Sequence, residues 1–168
     1  MKQLWAPWRM EYILDESRHN QAVDSCVFCL DESAGTDHER LVLLRGERAF
    51  VVMNRFPYNN GHLLVVPYRH VADLCELSDP ENSEISQLIC RCRSVLQQTM
   101  NPQGMNIGLN LGAAAGAGIA DHLHWHLVPR WQGDTNFMPV LGDTRVIPQH
   151  LEESYQVLLE AFTTGREE

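Results

Sequence analysis

The chain is short of positive charge and has no long apolar run, and each shortage narrows what it can do. Over 168 residues, 22 acidic side chains face 13 basic ones, for a formal net charge of −9. Binding a nucleic-acid backbone wants a basic stripe, so no nucleic-acid partner is expected, and any small anion must be held locally. No apolar stretch approaches the ~20 residues of a membrane helix, and the first residues lack the long apolar core of a secretory signal. No membrane partner is expected either. Five cysteines, an odd number, make no disulfide framework, and without a leader the cytosol is the default compartment. Internal repeats and low-complexity linkers are also missing. The expectation is a single domain over residues 1–168 with one core.

What the chain does have is a row of histidines. In Asp121-His122-Leu123-His124-Trp125-His126-Leu127-Val128-Pro129-Arg130, polar and large apolar residues swap at every step. That is the period of a half-buried strand, which would place Leu123, Trp125 and Leu127 in the core and the three imidazoles on the other face, about 6.6 to 7 Å apart at the Cα. A lone strand histidine is usually structural, whereas three together provide nucleophile, proton donor and proton acceptor near neutral pH. A metal centre built on His-x-His is the rival reading, and it needs further ligands.

Upstream, Asn106 to Gly112 is strand-like and runs into Ala113-Ala114-Ala115-Gly116-Ala117-Gly118-Ile119-Ala120. Such a Gly/Ala stretch leaves backbone N–H groups accessible to phosphate oxygens. On its own it is just as well a turn. Cys26-Val27-Phe28-Cys29 is equally open, because Cys-x-x-Cys serves zinc, redox chemistry or neither. A thioredoxin-like use would need a helix opening at the motif, and no long helical pattern follows Cys29. Cys75, Cys90 and Cys92 read as buried thiols.

The composite of Asn110, the Gly/Ala loop, His122-Leu123-His124-Trp125-His126 and Pro129-Arg130 resembles the signature of the histidine triad family of nucleotide hydrolases and transferases. The run Asn54-Arg55-Phe56-Pro57-Tyr58-Asn59-Asn60-Gly61-His62, continuing through Pro67 to His70, resembles the family's segment joining two central strands. The Cys-x-x-Cys resembles its opening. The likeness covers about residues 26–131, the expected family core. Leu4-Trp5-Ala6-Pro7-Trp8-Arg9-Met10-Glu11-Tyr12 and Trp131-Gln132-Gly133-Asp134-Thr135-Asn136-Phe137 flank it. Both are similar to the bacterial branch that acts as diadenosine tetraphosphate phosphorylases.

That resemblance implies roles for particular residues. His124 is the nucleophile, attacking an α-phosphorus to form a covalent nucleotidyl-histidine. His126 and His62 contact phosphate oxygens and the leaving group, and His122 is an organiser. Asn54 holds ribose hydroxyls, while Asn110 and the backbone of Gly116, Ala117 and Gly118 form the phosphate cradle. Zinc-bearing members imply a structural zinc on Cys26, Cys29, His70 and His122; a reduced, metal-free pair is the alternative. The chain departs from the family where a Ser or Thr commonly precedes the triad, since Gly118, Ile119 and Ala120 carry no hydroxyl. The substrate implied is an adenosine dinucleotide such as diadenosine tetraphosphate, with phosphate or water as acceptor, the phosphate held by Ala115 to Gly118 with Arg130 or Arg9. A nucleoside phosphoramidate hydrolase, or a zinc-stabilised nucleotide-binding module with incidental turnover, stands as the alternative.

Short apolar runs at 41–44, 49–53, 62–66, 105–111 and 122–128 read as five strands, with turns at Arg45-Gly46-Glu47 and Asn59-Asn60-Gly61 that suit antiparallel pairing. Ser78-Asp79-Pro80-Glu81 is a capping box. Ile85, Leu88, Ile89, Cys92, Val95 and Leu96 then form the apolar stripe of one long helix ending near Asn101-Pro102. A shorter helix is expected over Val71 to Glu76. A last one, starting near Pro148, would bury Leu151, Tyr155, Leu158, Leu159 and Phe162. Residues 15–25 and 31–40 read as loops. The fold class is α+β, a five-stranded antiparallel sheet packed by the long helix, and the resemblance adds a homodimer that extends the sheet.

Overall fold

The computed structural model describes residues 26–30, 35–134 and 150–164, and the elements below are drawn from those. Five antiparallel strands form one sheet in the order β1-β2-β3-β5-β4: β1 (Val42–Arg45), β2 (Ala49–Met53), β3 (Leu63–Pro67), β4 (Gly104–Leu109) and β5 (Trp125–Arg130). Every residue of β2 and β3 is buried, as central strands rich in Val, Leu and Phe require. β4 lies at the sheet edge with Gly104, Asn106, Ile107 and Gly108 exposed.

The helices are α1 (Asp37–Arg40), α2 (Asp79–Met100) and α3 (Leu151–Thr164). In α2, Ile85, Leu88, Cys92, Val95 and Leu96 are buried at three- and four-residue steps, and the helix packs on β2, β3 and β5. Its capping box is formed: the Glu81 carboxylate accepts from the Ser78 N–H at 2.8 Å and the Ser78 hydroxyl at 2.7 Å. The same carboxylate takes a two-pronged contact from the Arg69 guanidinium, at 2.8 and 2.9 Å, which ties the helix start to the chain leaving β3. α3 packs on α2 and β1, burying Tyr155, Leu158 and Phe162, and the Tyr155 hydroxyl donates to the Val42 carbonyl at 3.0 Å. Among the described residues no helix is long and apolar enough to cross a membrane.

Four expectations need correction. Residues 37–40 form the single turn α1 rather than loop, because Thr36 and Glu39 make a capping box of their own. The helix expected over Val71 to Glu76 shrinks to a 3₁₀ turn at Leu74–Glu76, capped by the Asp73 carboxylate on the Cys75 N–H. Cys75 and Cys90 are exposed, Cys75 on that turn and Cys90 off the apolar stripe of α2; Cys92 alone of the three is buried. The fifth strand begins at Trp125 rather than His122, so two of the three histidines precede it. Residues 15–25, 31–34 and the start near Pro148 lie outside the described residues.

The contacts of Glu81 hold its carboxyl down to about 2, the Arg69 guanidinium being the largest cause, against an ordinary value of 4.5. A depressed native pKa stabilises the fold fully above the unfolded value and loses that contribution as pH falls from about 4.5 towards 2. Glu81→Ala should therefore lower stability by about 1–2 kcal/mol at pH 7, the size of a lost cap and ion pair, as read by urea unfolding. The gap between variant and parent should close near pH 2.

Candidate active site and metal centre

Pairing between β3 and β5 runs through only three positions, Leu63 with Leu127, Leu64 with His126 and Val65 with Trp125. Beyond them a side chain takes over the ladder's role. His122 Nε2–H donates to the Pro67 carbonyl at 2.8 Å, and the Leu123 N–H donates to the Val71 carbonyl at 2.8 Å. His122 thereby lies fully buried beside the end of β3 with its Nδ1 lone pair free to point elsewhere.

It points at two sulfurs. A turn closed by the Cys29 N–H on the Cys26 carbonyl brings both thiols to one side, and the Arg40 guanidinium pins it from α1 by donating to the Val27 and Cys29 carbonyls. His122 Nδ1 lies 3.5 Å from Cys26 Sγ and 3.8 Å from Cys29 Sγ, while His70 Nδ1 lies 3.3 Å from Cys29 Sγ. All four ligand atoms fall within 4.8 Å of one another. A tetrahedron drawn with ordinary Zn–S and Zn–N bonds has edges of roughly 3.3–3.8 Å, the range of these three separations, so the donor set could hold such an ion. Four protein donors would leave a tetrahedral ion no open position.

The other two histidines of the row belong to a different device. His124 Nδ1–H donates to the His122 carbonyl at 2.8 Å, which assigns the lone pair to Nε2. Burial pushes its pKa below the usual value, so the ring is held neutral. Phe28, between the two cysteines, packs against its ring at 5.0 Å.

His62 and His126 form a relay beside it. The Tyr58 N–H at 3.0 Å and the Asn54 amide at 3.3 Å both meet His62 Nδ1, so that nitrogen accepts and Nε2 carries the proton. His62 Nε2–H then donates to His126 Nδ1 at 2.9 Å, which leaves the His126 proton on Nε2. That last nitrogen is buried with no partner among the described residues. An unpaired donor costs free energy, so its presence points to a ligand that completes it. Burial, with His124 nearby, lowers the His126 pKa to about 4. Gly61, just before His62, has φ of +70° and abuts Leu96 and Met100 of α2, a position that a side chain fits poorly.

The remaining expected residues divide. Asn54 is half-buried at the site, its Oδ1 taken by the Phe56 N–H at 2.9 Å. Asn110 follows β4, also half-buried. In the Gly/Ala loop, the N–H groups of Ala115, Gly116 and Ala117 turn inward to the carbonyls of Gly112 and Ala113, with Gly116 left-handed at φ +90°. No bond within the described residues takes the N–H groups of Gly118, Ile119 and Ala120, which shifts the available donors of the loop past the expected Gly116 and Ala117. Arg130 is engaged by Asp134 in two bonds of 2.6 and 2.7 Å and by Asn106, so it is held as a structural brace rather than set out for an acceptor anion. Arg9 lies outside the described residues, as do the flank Leu4 to Tyr12 and Thr135 to Phe137. Sequence reasoning missed Arg40 and the Pro67 carbonyl. Only the first left a signal, the Thr36-x-x-Glu39 capping box that makes α1 a helix.

A neutral, tautomer-fixed imidazole beside a second imidazole with an orphan N–H has the chemistry to attack an electrophilic centre that carries anionic oxygens. The chain belongs to the HIT family: the family's domain model, described as the HIT domain, matches residues 36–133, more than half of the chain. An AP-4-A phosphorylase of Mycobacterium tuberculosis is 39% identical over 161 residues, 94% of this chain and 83% of that protein. A bis(5'-nucleosyl)-tetraphosphatase (asymmetrical) of Schizosaccharomyces pombe is 26% identical over 126 residues, 75% of this chain and 65% of that one. Among solved structures, a Zn-bound histidine triad family protein from Mycobacterium smegmatis superposes with a TM-score of 0.65 at 27% identity, covering 84% of this chain and 95% of the other.

Proposed function

We propose that the protein is an enzyme that transfers a nucleotidyl group from an adenosine dinucleoside polyphosphate, diadenosine tetraphosphate foremost, to His124 and then to phosphate. The observation that carries the reading is the pair of fixed tautomers, a lone pair on His124 Nε2 and a proton on His126 Nε2. Likeness over nearly the whole chain to the mycobacterial AP-4-A phosphorylase supports the substrate and acceptor.

In the first step His124 Nε2 attacks the α-phosphorus as the bond from that phosphorus to the bridging oxygen breaks. The bridging oxygen leaves with the electron pair as a terminal oxygen of ATP, its charge met by a hydrogen bond from His126 Nε2–H. The N–H groups of Gly118 to Ala120 are the donors proposed for the equatorial oxygens and for the acceptor. Asn54 and Asn110 are assigned to the ribose and phosphates. In the second step a phosphate oxygen displaces His124, giving ADP beside the ATP already released; water in its place gives AMP. His124→Ala should remove several orders of magnitude of turnover, and substrate labelled in the adenosine should leave label on His124 of the parent protein only. ADP and ATP in equal amounts are expected with phosphate present. A mixture of AMP and ATP that ignores phosphate concentration would make the protein a hydrolase instead.

We assign the Cys26, Cys29, His70 and His122 cluster to zinc, supported by its two-sulfur, two-nitrogen donor set, by the three separations of 3.3–3.8 Å and by the Zn-bound relative. Bound there, the ion would staple the Cys-x-x-Cys turn to the β3 exit and to the start of the histidine row. Purification without chelator should give one zinc per chain by elemental analysis, and Cys26→Ser should lose it together with thermal stability. Metal-free protein of unchanged melting temperature would refute the assignment. The open edge of β4, with Ile107 47% exposed, supports a homodimer that continues the sheet. A sedimenting mass of twice 19.2 kDa checks this.

A further inference from the structure

Among the described residues only two Phe, Tyr or Trp side chains are exposed, Phe56 at 80% and Tyr58 at 49%, and both belong to the loop from Asn54 to His62. A single exposed ring on a surface is ordinary, but a large π face set beside a nucleotide site is what a base stacks on. The reaction above uses neither ring.

Tyr58 is the one that reaches the histidines. Its ring lies against His62 with centroids 4.7 Å apart, and against His126 at 5.8 Å with 12° between planes. Those two imidazoles are themselves 5.1 Å apart, so both cover the same side of the phenol ring, and the half-exposed residue turns its other face outward. The loop is anchored so that this face holds its place. The Asn59 amide donates to the Asp134 carboxylate at 2.8 Å and to the Pro129 carbonyl at 3.1 Å, which fastens the loop to the end of β5. The His62 N–H donates to the Asn59 carbonyl at 3.2 Å and the Asn54 N–H to the His62 carbonyl at 2.9 Å, which close the loop on itself.

The orphan His126 Nε2–H marks where the leaving oxygen goes, and Tyr58 is the aromatic side chain stacked on that ring. A base laid on the outward face at van der Waals distance would sit about 9 Å from the centre of the His126 ring. The triphosphate and ribose of a leaving ATP form a flexible chain that spans such a gap. We propose that Tyr58 is a specificity-determining residue: its outward face is the stacking platform for the base of the leaving nucleotide, so the protein selects dinucleotides over mononucleotides that carry the same polyphosphate. This rests on the nucleotidyl-transfer reading above. Because every base has a π face, the selection is for the presence of a second base rather than for its identity.

The experiment uses the full chain with phosphate present and measures kcat/KM for diadenosine tetraphosphate and for adenosine 5'-tetraphosphate, both labelled in the adenosine. Both carry four phosphates and the same attacked α-phosphorus, and both part at a triphosphate oxygen. Comparing the ratio of the two between parent and variant cancels the extra charge on the free terminal phosphate and reads the second nucleoside. The parent should favour the dinucleotide, and Tyr58→Ala should lower the ratio about five- to a hundredfold, the span of base–aromatic stacking. Loosening of the His62–His126 pair would slow both substrates alike and leave the ratio where it was. Tyr58→Phe and Tyr58→Trp keep a π face and should keep the ratio, and Phe56→Ala should leave it unchanged. An unchanged ratio in Tyr58→Ala overturns the proposal, as does an equal fall in Tyr58→Phe or a fall in Phe56→Ala that Tyr58→Ala does not share. A parent that puts no label on His124 from either substrate overturns the nucleotidyl-transfer reading and the proposal with it, so the two failures are told apart.

Discussion

His122 commits both ring nitrogens and its main-chain carbonyl to different neighbours, and the geometry around it follows from that triple commitment. Nε2–H holds the Pro67 carbonyl, Nδ1 faces the two sulfurs, and the carbonyl accepts from His124 Nδ1–H. Each bond contributes only ~1 kcal/mol net, but a polar atom left unpaired at this depth would cost more than its bond contributes. The ring therefore has one acceptable orientation. Through it the position of the Cys-x-x-Cys turn and the orientation of His124 become a single geometric fact, and a displacement of either reaches the other through one residue.

Burial sets the charge state of the row. Imidazolium ions this close in an apolar setting would repel one another and lose solvation, so His124 and His126 are both pushed below the ordinary histidine value, desolvation leading in each. A neutral His124 is what nucleophilic attack requires. In the proposed reaction a neutral His126 meets the leaving oxygen as a hydrogen-bond donor through Nε2–H. Both rings are thus held neutral before any ligand arrives.

Much of this was legible in the residues. The period-two alternation of His122 to Leu127 named the three histidines and put Leu123, Trp125 and Leu127 inside, and all three are buried. The apolar stripe and capping box gave α2 its position because helix periodicity and caps are local signals. What the alternation could not reveal was that the ladder stops at Trp125. The bond from His122 to Pro67 joins residues 55 apart, and whether a side chain replaces a strand pair is decided by tertiary contact. Tautomers were hidden for the same reason, since each is fixed by a partner distant in sequence. Cys90 was misread because it sits one step off the stripe that Cys92 occupies. The donors of the Gly/Ala loop were displaced by a 3₁₀ turn at Ala113–Ala115, which glycine-rich sequence permits without announcing.

The five cysteines end up in three strata. Cys75 and Cys90 lie in solvent, Cys26 and Cys29 face the two histidines, and Cys92 is sealed against the sheet with its thiol pKa pushed up by burial. A thiol reagent added to the folded protein thus reads depth as time. Cys75 and Cys90 are open to it, Cys26 and Cys29 require the Cys-x-x-Cys turn to open, and Cys92 requires α2 to leave the sheet. The chain thus carries a separate chemical reporter for the surface, the site and the core.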